Sequence, residues 1–275
     1  MRIARYCRTG GGVVEFTEEQ DRFWWSRGWT VQRAVFDGDE LAAIDEATRE
    51  VEGWGTAQGL AHYEQTPHGP VIARSEYFEP YQAVLRERLR RGPIPDGVDH
   101  LLGEPGVLFK EKINYKHPGG GGFAPHQDLT AYPQITRCIS VMAPLDPAST
   151  DNGCLWFATQ RPGRVLDHER GVIVDPWCDT AQWVPVEVEP GDLVFFDGLA
   201  PHRSGTNTSD RSRRAMYLTY NPAGEGDHRG SYYADKRRRL DAAGGVGQSG
   251  NLLISFNDDF LGRPVATEST QPGTP

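Results

Sequence analysis

Three residues define the chemical question: His126 and Asp128 in the run APHQD, and His202 in GLAPHRSG. In an extended segment residues i and i+2 project to one side, so an H-x-D imidazole and carboxylate can converge on one ion. The tripeptide alone is a weak signal, because a histidine hydrogen-bonded to a loop-edge aspartate is the better explanation of it. His202 changes the balance. It follows a Gly191-Asp192 turn and a buried-strand pattern, Leu193 to Phe196. Two imidazoles and one carboxylate on one face of a metal leave the opposite positions open, the arrangement of non-haem Fe(II) oxygenases. Zinc binds the same ligands. A zinc hydrolase also needs a general base beside the metal-bound water, and no H-E-x-x-H run is present.

Oxidation with O2 needs electrons, and the chain carries no haem or flavin motif. A 2-oxoglutarate co-substrate would supply them, chelating the metal through its 1-carboxylate and 2-keto oxygen. Its distal carboxylate then needs a fixed cation, best an arginine fork. Arg211-Ser212-Arg213-Arg214 leads into the apolar run Ala215 to Tyr220. Adjacent residues on a strand face opposite ways, so only one of Arg213 and Arg214 points inward. Ser204, two past His202, can donate a hydroxyl to the same carboxylate. A basic hairpin corner facing water is the alternative.

The elements that must place these groups are short strands. From Val107 onward they are separated by Gly, Pro and Asp turns: 107–116, 137–145, 154–158, 183–188, 192–196 and 215–220. That spacing suggests a sandwich or a jelly-roll type barrel. Residues 1–106 read as mainly helical. Thr17 and Asp37 are cap candidates, Asp37 with Glu40 forming a capping-box pattern ahead of Leu41, Ile44, Ala47 and Val51. A third helix is expected over 80–91, with Tyr81, Val84, Leu85 and Leu89 as its apolar stripe. The run Lys236-Arg237-Arg238-Arg239 reads as a solvated helix face. The reading is one domain over 1–266 and a loose tail over 267–275. The glycine run 119–122 ahead of His126 reads as a loop that folds over a small substrate and excludes water.

Composition excludes other classes. The chain has 275 residues, 24% charged and 37% hydrophobic, with a net charge of -9, which argues against nucleic acid as a general partner. No stretch is apolar enough to span a bilayer, and no secretory signal is evident, so a cytoplasmic protein is expected. The cysteines, Cys7, Cys138, Cys154 and Cys178, form no C-x-x-C pair. Nothing in the chain encodes an oligomeric state.

The runs LFKEKINYKHPGGGGF, APHQD and GDLVFFDGLAPHRSGTNTSDRSRRAMYLTYN resemble the phytanoyl-CoA dioxygenase (PhyH) family of Fe(II)/2-oxoglutarate-dependent oxygenases, over about Val107 to Arg239. The resemblance implies a mainly β fold with flanking helices around a double-stranded β-helix (jelly-roll) core. It implies that His126, Asp128 and His202 bind Fe(II), and that Arg213 and Ser204 hold the distal carboxylate of 2-oxoglutarate. Asn114 and Tyr132 match positions that flank the co-substrate. The implied reaction consumes O2 and 2-oxoglutarate, yields succinate and CO2, and hydroxylates an aliphatic carbon of a small-molecule substrate. Asp128 argues against a halogenase, in which a small residue replaces that carboxylate. VIARSEYFEPY and GDHRGSYYADKRRR are similar to segments of PhyH-like enzymes acting on small charged metabolites, organophosphonates among them. Arg74, Lys110, Lys112 and Arg229 would then be pocket cations. A natural-product tailoring oxygenase (hydroxylation, desaturation or cyclisation) is the alternative. A zinc hydrolase or an inactive binding protein is more remote.

Overall fold

The computed structural model describes residues 14–55, 57–66, 69–242, 252–255 and 263–264. Cys7 and the expected 267–275 tail lie outside them. Helix α1 (Glu18–Arg27) opens with a reciprocal capping box between Thr17 and Gln20, and leads into β1 (Trp29–Gln32). Asp37 and Glu40 cap α2 (Gly38–Gly53) in the same way, and its Ile44, Ala47 and Val51 are buried.

The N-terminal region then departs from the helical reading. Strands β2 (Leu60–Thr66) and β3 (Gly69–Glu76) form an antiparallel hairpin that joins the main sheet through β3. Helix α3 (Ala83–Arg90) starts three residues later than expected, because Gln82 caps it by accepting from the Val84 and Leu85 amides. Leu85 and Leu89 are fully buried, whereas Tyr81 and Val84 are 49% and 39% exposed, so half of the expected stripe faces water. A further helix, α4 (Pro93–Leu102), accommodates its prolines in the first turn, where the missing N–H costs nothing.

The strands that follow are β4 (Gly106–Lys116), β5 (Phe123–His126), β6 (Ile139–Pro144), β7 (Leu155–Ala158), β8 (His168–Glu169) and β9 (Val172–Ile173). After the short α5 (Trp177–Thr180) come β10 (Trp183–Val186), β11 (Leu193–Asp197), β12 (His202–Ser204) and β13 (Arg213–Pro222). Helix α6 (Arg229–Ala242), β14 (Leu252–Ser255) and β15 (Arg263–Pro264) complete the described elements. The large sheet has the order β1-β11-β6-β13-β4-β3-β2-β14-β15 and the small one β10-β7-β12-β5-β9-β8. This is the expected mainly β, jelly-roll architecture.

Each face of the large sheet has its own core. Ile44, Leu85, Val98, Ile113, Val141 and Leu218 join α2, α3 and α4 to one face. Met142, Phe157, Phe196 and Ala215 fill part of the space between the two sheets. Strand β4 divides accordingly. Ile113 and Tyr115 enter the helix-side core, while Lys112, Asn114 and Lys116, at alternate positions, line cavities on the inter-sheet side.

Helix α6 corrects a second expectation. Arg238 and Arg239 are exposed as predicted, but Lys236 is 8% exposed and its Nζ lies 2.6 Å from Glu76 Oε2. Arg229 pairs with buried Glu111, which ties the helix to β4. Among the described residues no helix is long and apolar enough to cross a membrane.

Candidate active site

Strands β5 and β12 pair antiparallel with His126 directly opposite His202, which brings the two imidazoles to a ring separation of 4.1 Å. Asp128 opens a single 3-10 turn just beyond β5 and is not on the strand, yet its carboxylate faces the same point. Both Nε2 atoms lie 3.8 Å from Asp128 Oδ1, and the donor atoms of the three residues all fall within 4.8 Å of one another. All three side chains are buried. Gln127 between them is fully buried, with its amide pinned to the Arg164 and Leu199 carbonyls and the Leu166 amide. The turn is therefore rigidly held.

The hydrogen bonds around the triad set its chemistry. Each histidine uses Nδ1–H to donate to the carbonyl two residues earlier, Ala124 for His126 (2.8 Å) and Ala200 for His202 (3.0 Å). That tautomer leaves both Nε2 lone pairs for an ion. Burial holds both imidazoles below their ordinary range, the second imidazole adding to the effect at His126, so both are neutral at physiological pH. Burial opposes ionisation of Asp128, but His202, Lys112, His126 and the Ser140 hydroxyl outweigh it and keep the carboxylate ionised. Two neutral nitrogens and one carboxylate oxygen, with three sides of the ion left to other ligands, fit Fe(II).

Ser140 on β6 donates to Asp128 Oδ2 at 2.5 Å and fixes the rotamer that presents Oδ1. Ser140→Ala is expected to weaken iron binding by about tenfold while leaving the melting temperature nearly unchanged, as for other groups that orient a metal ligand. Iron stoichiometry measured across a chelator series checks this.

A cavity beside the triad is lined by Lys112, Asn114, Phe123 and Tyr217, and three of these (Asn114, Phe123 and Tyr217) also line a second cavity that reaches Arg213. The two thus form one path from the metal position to the guanidinium. Arg213 is 3% exposed and donates to the Asn152 and Gly153 carbonyls, and among the described residues no carboxylate pairs with it. Arg214 turns to the opposite face and binds Asp146 and Asp45. Of the two sequence candidates, Arg213 is therefore the inward one.

Ser204 lines the metal-side cavity, and its Oγ lies 2.9 Å from Lys116 Nζ, a cation that the sequence reading did not single out. The signal for it was present, since Lys110, Lys112 and Lys116 share the period of a strand face with Asn114. The glycine run serves close approach. A Cβ on Gly122 would sit 2.4 Å from the Ser204 carbonyl, so only glycine lets β5 lie this near β12. Gly120 and Gly121 line the Arg213 cavity, and the loop is anchored by Gly119 and Asn207 backbone bonds.

Other expected positions fall elsewhere. Tyr132 packs into a cluster with Phe109 and Tyr232 and is 3% exposed. Its ring stacks under the Lys110 ammonium, so large aromatic neighbours draw it away from the cavity lining. Arg229 is committed to Glu111 and Glu79 and lies outside the pocket. Arg74 is fully buried and donates to Asn114 Oδ1, which places it one residue behind the cavity wall.

The comparisons with known proteins agree with this geometry. The model of the phytanoyl-CoA dioxygenase (PhyH) family matches residues 24–215. The chain is 41% identical over 256 residues to a methylphosphonate hydroxylase of Gimesia maris, covering 90% of this chain and 97% of that protein. It is 37% identical to a 2-aminoethylphosphonate dioxygenase of an uncultured bacterium, covering 82% and 89% respectively. The fold matches EctD from S. alaskensis, solved with 2-oxoglutarate and 5-hydroxyectoine, at a TM-score of 0.67 and 19% identity over 76% of this chain and 77% of that one. It also matches the carbocyclase SnoK of nogalamycin biosynthesis at 0.65 and 22% identity, over 78% and 88%. The chain belongs to the phytanoyl-CoA dioxygenase (PhyH) family and is an Fe(II)- and 2-oxoglutarate-dependent oxygenase.

Proposed function

We propose that the chain hydroxylates a small organophosphonate at an aliphatic carbon. The observation that carries this reading is an excess of buried positive charge beside the metal ligands. Glu76 is fully buried, and Arg74, Lys110 and Lys236 all gather around its one carboxylate. Lys112 lines the triad cavity with Asp128, rests over the Tyr217 ring and forms no close ion pair among the described residues, so a carboxylate already claimed by the metal site is the anion nearest its charge. A charged lysine is costly in so buried a site, and an oxyanion substrate offsets that cost. Burial, Arg74 and Lys110 push the Lys112 ammonium well down from its ordinary range, so a bound oxyanion would draw a proton to it. The relatives named for methylphosphonate and 2-aminoethylphosphonate carry the same substrate chemistry.

When bound, Fe(II) with 2-oxoglutarate and O2 supplies the oxidant for hydroxylation of a C–H bond. The chain's own residues position the partners. His126, Asp128 and His202 would hold the iron, and Arg213 with Ser204 would take the distal carboxylate of the co-substrate. Asn114, oriented by Arg74, borders both cavities and would steady the co-substrate between them. Lys112, backed by Arg74 and Lys110, would hold the oxyanion so that the neighbouring carbon faces the iron. Phe123 and Leu155, which line the cavity, would keep water from the reacting centre. The reaction is assigned to the cytosol, on a free small molecule, by one domain over residues 1–266.

The direct test is succinate formation with Fe(II) and 2-oxoglutarate across a panel of phosphonates, amino acids and small cyclic scaffolds. Phosphonates should raise succinate well above the uncoupled background and give a stoichiometric hydroxylated product. A response confined to amino acids or cyclic scaffolds overturns the reading. Lys112→Met is expected to raise the phosphonate KM by about 10- to 100-fold, the cost of removing one charge-assisted contact, while uncoupled 2-oxoglutarate turnover persists. Initial rates over a phosphonate series check it.

A further inference from the structure

Lys116 is buried next to Arg213 with no role in the account so far. The two residues face each other in register across β4 and β13. Both line the cavity that opens toward the triad. Lys116 Nζ contacts Ser204 Oγ at 2.9 Å, the Gly205 carbonyl at 2.6 Å and the Gly153 carbonyl at 3.4 Å, and Arg213 donates to that same Gly153 carbonyl. Among the described residues no carboxylate forms an ion pair with either cation. Gly153 keeps this corner tight. It adopts φ +77°, and a Cβ there would lie 2.9 Å from Lys116 Nζ. Two buried cations that share one carbonyl, with a serine hydroxyl against the lysine, form a receptor for one carboxylate.

We infer that Lys116 is a second cation of the 2-oxoglutarate site, gripping the distal carboxylate together with Arg213 and Ser204. The inference rests on the assignment of Arg213 to that carboxylate. It adds a property that arginine alone does not confer, namely proton uptake on binding. Burial, and then the neighbouring Arg213, bring the free Lys116 ammonium down to about 7, so near neutrality it is only partly protonated. The other groups facing it are Glu64 on β2, whose carboxylate favours the ammonium, and Cys154, ahead of β7, whose thiol burial pushes up and keeps protonated. Phe123 on β5 presents its ring to the ammonium and does not titrate.

A carboxylate placed against Nζ favours the charged form, so the bound value lies above the free one. The sign follows: affinity for 2-oxoglutarate is complete below about pH 7 and falls as pH rises toward the bound value. A rise of about two units on binding gives a loss of about 100-fold over that interval.

The test is anaerobic calorimetric titration of the Fe(II) protein with 2-oxoglutarate, in two buffers of different ionisation enthalpy. At about pH 7.5 the wild type should take up a substantial fraction of a proton, and its Kd should weaken by tenfold or more at about pH 9. Lys116→Arg should bind without proton uptake and lose the alkaline weakening. Lys116→Met should weaken the Kd by about 10- to 100-fold at about pH 6.5 while keeping its iron stoichiometry. A purely structural lysine would instead lower iron content and thermal stability and leave the proton count unchanged. The inference is overturned by a wild type that takes up no proton, a measurement that needs no variant to fold. A Lys116→Met protein binding 2-oxoglutarate within about twofold of wild type also overturns it. If Arg213→Leu binds normally too, the fault lies in the carboxylate assignment and not in Lys116 alone.

Discussion

An Asp128→Asn protein folds normally, retains little iron and turns over at least about a thousandfold more slowly than the wild type. The carboxamide has the shape of the carboxylate, and Ser140 still finds an oxygen to donate to. That oxygen then sits where Oδ2 was, which leaves the amide nitrogen in the place of Oδ1, 3.8 Å from each Nε2. Both imidazoles are in the tautomer that offers a lone pair there, so the amide N–H groups donate into the very positions an ion needs. The substitution removes the only charged ligand and blocks the neutral ones. Folding survives because the buried carboxylate costs desolvation energy in the metal-free protein, and its neutral isostere changes stability by no more than about 1–2 kcal/mol. Iron content, the melting curve and succinate formation measured on the same preparation check this. A variant that holds stoichiometric iron and turns over within tenfold of wild type shows that Asp128 is not the anionic ligand.

The triad was legible because its spacing needs no knowledge of the fold: one H-x-D segment and one histidine after a buried strand. Arg213 was half legible. Alternation restricts the inward cation to one of two neighbours, but only the partners of Arg214, Asp45 and Asp146, show which faces out. The β2–β3 hairpin was missed for a physical reason. Its inward positions carry His62, Arg74 and Glu76, buried polar groups that cancel the apolar alternation by which a half-buried strand is read. Strand β4 hides its function in the same way. In LFKEKINYK the alternate positions 110, 112, 114 and 116 are Lys, Lys, Asn and Lys, which suggests a solvated face, yet that face points between the sheets. Lys236 repeats the pattern on α6, where a basic run conceals one residue turned inward toward Glu76. Tyr132 was placed by resemblance, and its ring contacts with Phe109 and Tyr232 could not be read from the sequence. Sequence pattern assigns polar residues to water by default, so a site built from buried charge is where that assignment fails.

Arg213→Leu is expected to raise the KM for 2-oxoglutarate by about a hundredfold or more, with a much smaller change in affinity for the phosphonate. Two of the N–H donors of Arg213 go to the Asn152 and Gly153 carbonyls, which aims the rest of the planar fork along the cavity shared with Asn114 and Tyr217. Leucine fills part of the volume but offers no donor, so the distal carboxylate would be buried with one of its charged partners removed. Arg214→Leu is the control. Arg214 is bound to Asp45 and Asp146 on the other face, so its loss should leave the co-substrate KM within about threefold. It should lower stability by no more than about 1 kcal/mol, since that ion-pair network is only partly screened from water. Parallel saturation curves in 2-oxoglutarate and in phosphonate for the two leucine variants make the comparison. If Arg214→Leu raises the co-substrate KM and Arg213→Leu leaves it unchanged, the carboxylate binds on the opposite side of β13, and the path from iron to Arg213 has another occupant.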